Sequence, residues 1–577
     1  MNKIRVLLLP LFLTGIFYLT GCEKIADPVK GSPEEEDPTD YDWDTTQVVM
    51  ITLNSGSITV VPDVAEVSGS TVKITDAGTY KISGSLSDGQ LIVDSEDEAA
   101  VRLILDGASI RCSNSAPFYV KHAAKVIVIL NEGSENYLYD GTSYVVPEGE
   151  PNAALFSNSY LAISGTGLLG VTANYKDGIS GDDGLVINSG TITVTSADDG
   201  IRGKDFLYIR DGAITVKSKG DGLKSDNTED PSLGYILIDT GTINISATAG
   251  DGINASGVLT INDGSFNITT GGGAGTVSSG SQGRPGMPGS GSGGYSGTIS
   301  EKALKAAGDL SIAKGNFIIS SADDAIHSNL SVTIGDGTYS MASGDDAVHS
   351  DGPLTINGGT MVVTTCYEGL ESPSITLNGG NLNFSSVDDT FNATKGSATE
   401  SNDGSSLNIT GGNIVANASK GDCIDSNGNV TMTGGTLVAH GPASSPEVGA
   451  DVNGTFNVSG GFLVFTGPNS GNMIETISSS SSQQCIKATF SQALSASTLF
   501  HIEDQDGNYI LTFMPIRSVY YIVVCSPGFT NGRTYLLYTG GSTTGTYSNG
   551  LYTGGIYSGG TLKKSVTLSG IITNVSL

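Results

Sequence analysis

Asp199-Gly200-Ile201-Arg202-Gly203-Lys204-Asp205-Phe206-Leu207-Tyr208-Ile209-Arg210-Asp211-Gly212-Ala213-Ile214-Thr215-Val216-Lys217-Ser218-Lys219-Gly220 is one full period of a repeat. Apolar residues recur as Ile201, then Leu207 and Ile209, then Ile214 and Val216, with polar residues between them. Alternation at period two places one face of a strand in a core. The Asp-Gly pairs between the three runs are turn signals. The preceding unit starts at Asp177-Gly178-Ile179-Ser180 and the following one at Asp221-Gly222-Leu223-Lys224, so the period is 22 residues on both sides. It continues through Asp251, Lys302, Asp324, Asp346, Glu368, Asp389 and Asp422 once the excess residues near 228–233, 271–299 and 394–405 are set aside. A fixed period in the twenties marks a stacked-repeat architecture.

These patterns predict an all-β protein, a right-handed parallel β-helix with three strands and about 22 residues per coil, closed by a small C-terminal β cap. The hand follows from the near-universal right-handedness of parallel crossovers. The expected division is a lipoprotein signal peptide with lipobox over 1–22, an acidic disordered tether over 23–45, the β-helix over 46–470 and the cap over 471–577. Within the β-helix, 46–174 reads as irregular first coils, 175–465 as regular coils, and 271–299 as a Gly/Ser-rich insertion. The 577 residues include 80 glycines and few aromatics, which argues against helical or α/β folds.

A net charge of −31 disfavours nucleic acid and anionic membrane surfaces as partners. Lys3 and Arg5, the apolar run 6–19 and Leu19-Thr20-Gly21-Cys22 form an export signal ending in a tetrad similar to the bacterial lipobox. Cys22 is therefore the expected lipidation site, and the bacterial outer membrane or cell surface the expected location, with the membrane reached through the anchor alone. The remaining cysteines, at 112, 366, 423, 485 and 525, show no metal or disulfide spacing. Buried thiols are their default state, with Cys485 and Cys525 open to pairing within the cap.

Stacked turns bring equivalent acids to about 4.8 Å from one another. One column reads Asp177, Asp199, Asp221, Asp251, a break at Lys302, then Asp324, Asp346, Glu368, Asp389 and Asp422. Asp198, Asp323, Asp345 and Asp388 double it, and a shorter neighbouring column holds Asp183, Asp205 and Asn227, with Asp182 and Asp226 beside it. A calcium ion, bound by six to eight oxygens at roughly 2.4 Å, fits between such carboxylates. A hydrated acidic turn is the alternative for any single Asp, but doubled and stacked acids exceed what turns require. The lack of paired His or Cys ligands in the sequence disfavours zinc and favours calcium, at a few rungs rather than all.

Each inward aliphatic is followed by an outward residue, giving a stripe of Ser180, Arg202, Lys224, Asn254, Lys305, His327, His349, Glu371, Asn392 and Asp425. Of these, Arg202, Lys224, Asn254, Lys305, His327 and His349 are the candidate carbohydrate-binding residues, in a groove walled by the insertions. A solvated face without ligand competes for each residue singly, and His327 and His349 have the alternative of stacking on one another.

The runs Asn152-Ala153-Ala154-Leu155-Phe156-Ser157, Ala173-Asn174-Tyr175-Lys176-Asp177-Gly178-Ile179, Ala197-Asp198-Asp199-Gly200-Ile201-Arg202-Gly203-Lys204-Asp205 and Gly220-Asp221-Gly222-Leu223-Lys224-Ser225 resemble the bacterial carbohydrate-binding domain-containing parallel β-helix family. The resemblance extends from about residue 46 to the Gly/Tyr-rich C-terminus. It implies an exported protein that holds calcium and binds plant cell-wall polysaccharide, cellulose and polygalacturonate among them. The architecture is also similar to calcium-dependent pectate lyases, and on that alternative Lys224, Lys305 or Arg202 would supply the base. A surface adhesin stiffened by calcium is the third reading, since fold does not fix function.

Overall fold

The computed structural model describes residues 38–145, 150–275, 299–396 and 401–577. Among them the chain is all-β, with two short 3-10 turns, Pro38–Tyr41 and Gly471–Met473. Strands gather in a 33-stranded sheet and a 16-stranded sheet, and in both the regular region is parallel throughout.

The quoted repeat folds as Ile201–Gly203, Phe206–Ile209 and Ala213–Ser218. Each strand pairs with its equivalent one repeat earlier and one repeat later. Ile201 lies beside Ile179 and Leu223, Leu207 beside Leu185 and Ile236, and Ile214 beside Ile192 and Ile243. Ile201, Leu207, Ile209, Ile214 and Val216 are buried, so the apolar columns of the sequence are the columns of the core. The glycine after each early acidic rung has a steric cause. A Cβ at Gly200 would come within 2.2 Å of Val216 Cγ1 and 2.5 Å of the Gly222 carbonyl oxygen. The chain there lies against both its own third strand and the next repeat.

The less regular N-terminal strands join the same sheets. Val48–Ser55, Gly78–Leu86 and Val101–Cys112 pair in parallel order in the larger sheet. Thr71–Ile74, Gln90–Asp94, Phe118–His122 and Ala153–Ser157 lead directly into the 16-stranded one. Of the stretch 23–45 expected as a disordered tether, residues 23–37 lie outside the described residues, as does the signal region with Cys22. Residues 38–45 are docked instead. Asp40 is buried beside Lys125 Nζ at 2.8 Å and its carbonyl accepts from Arg102 Nε at 2.7 Å. Tyr41 and Trp43 pack on a cluster that includes Ala100, Ile104 and Ile127. Acidic composition masked these anchors: one buried ion pair and two aromatics fix a segment that charge alone would leave in water.

At the other end, Val519–Cys525 pairs antiparallel with Phe462–Gly467, covering a strand edge that would otherwise be open. A six-stranded antiparallel sheet follows, with Phe500–Asp504 and Tyr509–Phe513 at its centre. Arg517 ties this region to the repeats by donating from Nη1 to the carbonyls of Ala418 at 2.8 Å and His440 at 2.7 Å. Cys485 and Cys525 stand directly opposite in adjacent strands, buried and as free thiols.

Candidate functional site

Strand pairing sets the outward stripe in register. Ser180, Arg202, Lys224, Asn254, Lys305, His327, His349, Glu371, Asn392 and Asp425 follow one another across the 16-stranded sheet. The acidic column runs along the turn before this strand. Asp199, Asp221, Asp251 and Asp324 each have two tasks there, one per oxygen.

The first oxygen stitches rungs together. Oδ1 of Asp199 accepts the backbone N–H of Asp221 at 2.8 Å, Asp221 that of Asp251 at 2.8 Å, and Asp251 that of Lys302 at 2.8 Å. Asp177 accepts from Asp199, Asp324 from Asp346 and Asp389 from Asp422 in the same way. The second oxygen meets the stripe. Lys224 Nζ lies 2.9 Å from Asp199 Oδ2, Asn254 Nδ2 3.0 Å from Asp221 Oδ2, and Lys305 Nζ 3.0 Å from Asp251 Oδ2. His327 Nδ1 stands 2.8 Å from Asp324 Oδ2 and His349 Nδ1 3.0 Å from Asp346 Oδ2. Lys302, at the break in the column, reaches Asp323 at 2.8 Å and Asp324 at 2.6 Å.

Five of the six residues expected to face a carbohydrate, Lys224, Asn254, Lys305, His327 and His349, are therefore partners of the column. Arg202 turns the other way: its guanidinium bonds Asp226 through Nε, and Asp182 and Ser180 through Nη1. Beside the shorter acidic column, Asp182 and Asp226 thus hold arginine, and within it Asp205 accepts Asn227 Nδ2 at 2.5 Å. Asp183 is exposed. His327 and His349 do stack, with ring centroids 4.9 Å apart and planes at 13°.

Two kinds of electrostatic environment result. Burial opposes the charge of Asp324, yet the hydrogen bond from His327 and the charge of Lys302 outweigh it and hold the carboxyl below its ordinary range. Burial and then the neighbouring carboxylates push Asp389 and Asp422 well above theirs. Glu368 is likewise raised by burial and Glu371. Asp177 is pushed up to about 7 by burial, Asp199 and Asp198. Burial disfavours the Lys224 ammonium, but Asp199 and Asp221 more than offset it and raise its pKa. Arg202 is likewise raised by Asp226 and Asp182 against its burial.

All-oxygen groups suited to a hard cation do form. Ligand atoms of Asp177, Asp198 and Asp199 lie within 4.8 Å of one another, as do those of Asp323, Asp324 and Asp345. Tyr367 donates to Asp388 at 2.5 Å and Asn392 to Glu368 at 2.8 Å.

An open groove lies elsewhere, over the turns that lead into the third strands. It encloses about 580 Å³ and is lined by Asp263, Lys314, Asn316, Asp336, Thr338, Thr360, Asn381 and turn glycines. Asn316, Thr338, Thr360, Asn381 and Asn413 are consecutive in the strand register. Lys314 and Asp263 pair at 2.8 Å across its floor. Reading the outward positions only after the first strand missed this column. The run of Asn and Thr at each third-strand start was its visible trace. Of the insertions expected to wall the stripe, 276–298 and 397–400 lie outside the described residues, whereas 228–233, 394–396 and 401–405 are described.

Fold and site together define an all-β protein of stacked parallel strands with an acid–cation column on one edge and a polar groove on another. The chain belongs to the carbohydrate-binding domain-containing protein family, whose description matches residues 68–347 and 345–507. A protein of that description from Acetivibrio thermocellus is 46% identical over 213 residues, covering 36% of this chain and 74% of the relative. A solved structure described as the polysaccharide lyase-like protein from C. thermocellum, in a gadolinium derivative, is 36% identical with a TM-score of 0.38, covering 39% of this chain and 92% of that one.

Proposed function

We propose that this is an exported, lipid-anchored protein that binds an extended polysaccharide of acidic or plant cell-wall type, on repeats wound as a right-handed parallel β-helix. Family membership across most of the described chain carries this reading. The groove adds to it, because stacked amides and hydroxyls beside an ion pair suit a chain of sugar hydroxyls and carboxylates. Anchoring at Cys22, at an outer membrane or cell surface, rests on the Leu19-Thr20-Gly21-Cys22 tetrad.

Calcium is the cation we assign to the column, at the Asp177, Asp198 and Asp199 group and among Glu368, Asp388, Asp389 and Asp422. These donors are all oxygen, those of Asp177, Asp198 and Asp199 lie within 4.8 Å of one another, and burial with mutual repulsion raises the pKa of Asp177, Asp389 and Asp422. The bound ion would neutralise them and stiffen adjoining rungs.

Affinity electrophoresis of chelator-stripped full-length protein through polygalacturonate and soluble cellulose derivatives, with and without calcium, tests the binding. Retardation in at least one gel is expected, and migration unaltered by every glycan would refute it. Ultraviolet absorbance of the same mixtures should stay flat. A rise would mark elimination and restore the lyase reading, against the paired state of Lys224 and Arg202.

A further inference from the structure

At two rungs, those of His327 and His349, a ring nitrogen joins the oxygens of the column. His349 Nδ1 lies 3.0 Å from Asp346 Oδ2 and also 2.9 Å from Glu371 Oε2. Two carboxylate oxygens from successive rungs thus converge on one ring nitrogen, and the three atoms all fall within 4.8 Å of one another. In a tetrahedral site with bonds of 2.0 to 2.1 Å, ligand atoms stand about 3.3 Å apart. The two measured separations need to open by only a few tenths of an ångström.

The far side of the ring supplies an independent observation. His349 Nε2 faces Asp351 Oδ1 at 3.3 Å, and Asp351 Oδ2 in turn accepts Asn329 Nδ2 at 3.2 Å. Metal-binding histidines hand their second N–H to a carboxylate in this manner, which fixes the tautomer and aims the other nitrogen's lone pair at the ion. His327, stacked on the ring, holds its plane, and its own Nδ1 is directed to Asp324. The rung before also carries a histidine, and ligand atoms of Asp324, His327 and His349 likewise lie within 4.8 Å of one another, but it is His349 Nδ1 that meets two carboxylates. Beyond Glu371, Asn392 brings an amide, and beyond His327, Lys305 an ammonium.

The geometry points to a binding site for a divalent transition ion, zinc by donor type, formed by Asp346, His349 and Glu371 and oriented by Asp351. One nitrogen and two oxygens do not make a calcium site, which takes six to eight oxygens, whereas imidazole favours the later first-row ions. Asp346 is buried, while the side chains of His349 and Glu371 are 22% and 27% exposed. The remaining coordination position therefore opens outward, to water or a sugar hydroxyl. The site stands apart from the carbohydrate reading, since its ligands are fixed by the column alone.

Cobalt(II) reports such a site through visible d–d absorption. Tag-free, chelator-stripped full-length protein titrated with cobalt in excess calcium should develop this absorption with one equivalent, and zinc should bleach it. The chain has five histidines, so the signal can be traced. His349→Ala and Glu371→Gln should each weaken binding at least about 10-fold, and Asp351→Asn about 10- to 100-fold. No absorption in the wild-type protein overturns the proposal. So does undiminished affinity in His349→Ala with a wild-type circular dichroism spectrum. If His349→Ala does not fold, Asp351→Asn decides, because its carboxylate is half exposed; wild-type cobalt affinity in that variant overturns the proposal. None of these outcomes depends on whether a glycan binds.

Discussion

From Asp199 to Asp324 the acidic column is threaded with cations, while from Glu368 to Asp422 the stripe beside it offers Glu371, Asn392 and Asp425. The backbone stitch is the same in both stretches, Asp251 to Lys302 in one and Asp389 to Asp422 in the other. The difference lies in what faces the second carboxylate oxygen. One repeat geometry therefore carries an internally neutralised stretch and a stretch that gains from an external cation.

Asp251→Ala should separate the two most sharply. It leaves the Lys302 N–H without its acceptor and Lys305 with Ser300 Oγ alone, and because Lys305 is partly open to water the loss should fall toward the lower end of the roughly 3 to 5 kcal/mol that breaking a buried pair costs. Urea unfolding would show it, and a loss under about 1 kcal/mol would mean that the ion pairs are incidental to the column. Asp389→Asn, by contrast, removes a repelling charge and should leave the metal-free protein as stable or more so.

Calcium should act on the second stretch. An ion at 100 times its Kd stabilises by about 2.7 kcal/mol, seen as a higher Tm. The double variant Asp389→Asn, Asp422→Asn should lose the share of this gain that arises in the second stretch and keep only that of the Asp177, Asp198 and Asp199 group, whereas Asp221→Asn should keep it all. An equal response in both variants would abolish the distinction between the stretches.

Acidity should move Asp324 and the Asp389 and Asp422 pair in opposite directions. Asp324 has its pKa lowered in the fold, so its contribution is complete above the unfolded value of 3.8 and is lost as pH falls below it. Asp389 and Asp422 have theirs raised, so the metal-free fold binds more protons than the unfolded chain, and stability falls as pH climbs from about 4 toward neutrality. Hydrogen exchange resolved by segment would read both trends; slopes of the same sign around residues 302–324 and 389–422 would contradict the electrostatic contrast.

The smallest effect on stability belongs to the groove. The Lys314–Asp263 pair is well exposed, with side-chain accessibilities of 62% and 41%, and Lys314→Ala should change stability by no more than about 0.5 kcal/mol. Retardation by an acidic polysaccharide should drop several-fold in that variant. Unchanged retardation would move the binding surface away from these turns.

The parallel strands, their threefold repetition and the order of the stripe were legible because aliphatic positions such as Ile201, Ile214 and Val216 recur with little noise. Pairing follows directly from that recurrence. The acidic column was legible as a list of residues, yet its chemistry was not. Lysine side chains are long enough to fold back across a rung, so Lys224 and Lys305 serve the column although strand alternation points them outward. The three-donor convergence at His349 was hidden for a related reason, since Asp346 and Glu371 lie in successive repeats and meet only when stacked. Asp40, Tyr41 and Trp43 were obscured by the acidic run before them.

The stitch from each aspartate has a direction. Asp199 offers its oxygen to Asp221, and Asp221 to Asp251, always from an earlier rung to a later one. A finished repeat thus displays a waiting acceptor at its C-terminal side, whereas an addition at the N-terminal side would have to arrive with its own. The two faces of a repeat are therefore chemically unlike, one presenting a carboxylate acceptor and the other a backbone donor, so repeats can stack in one polarity only.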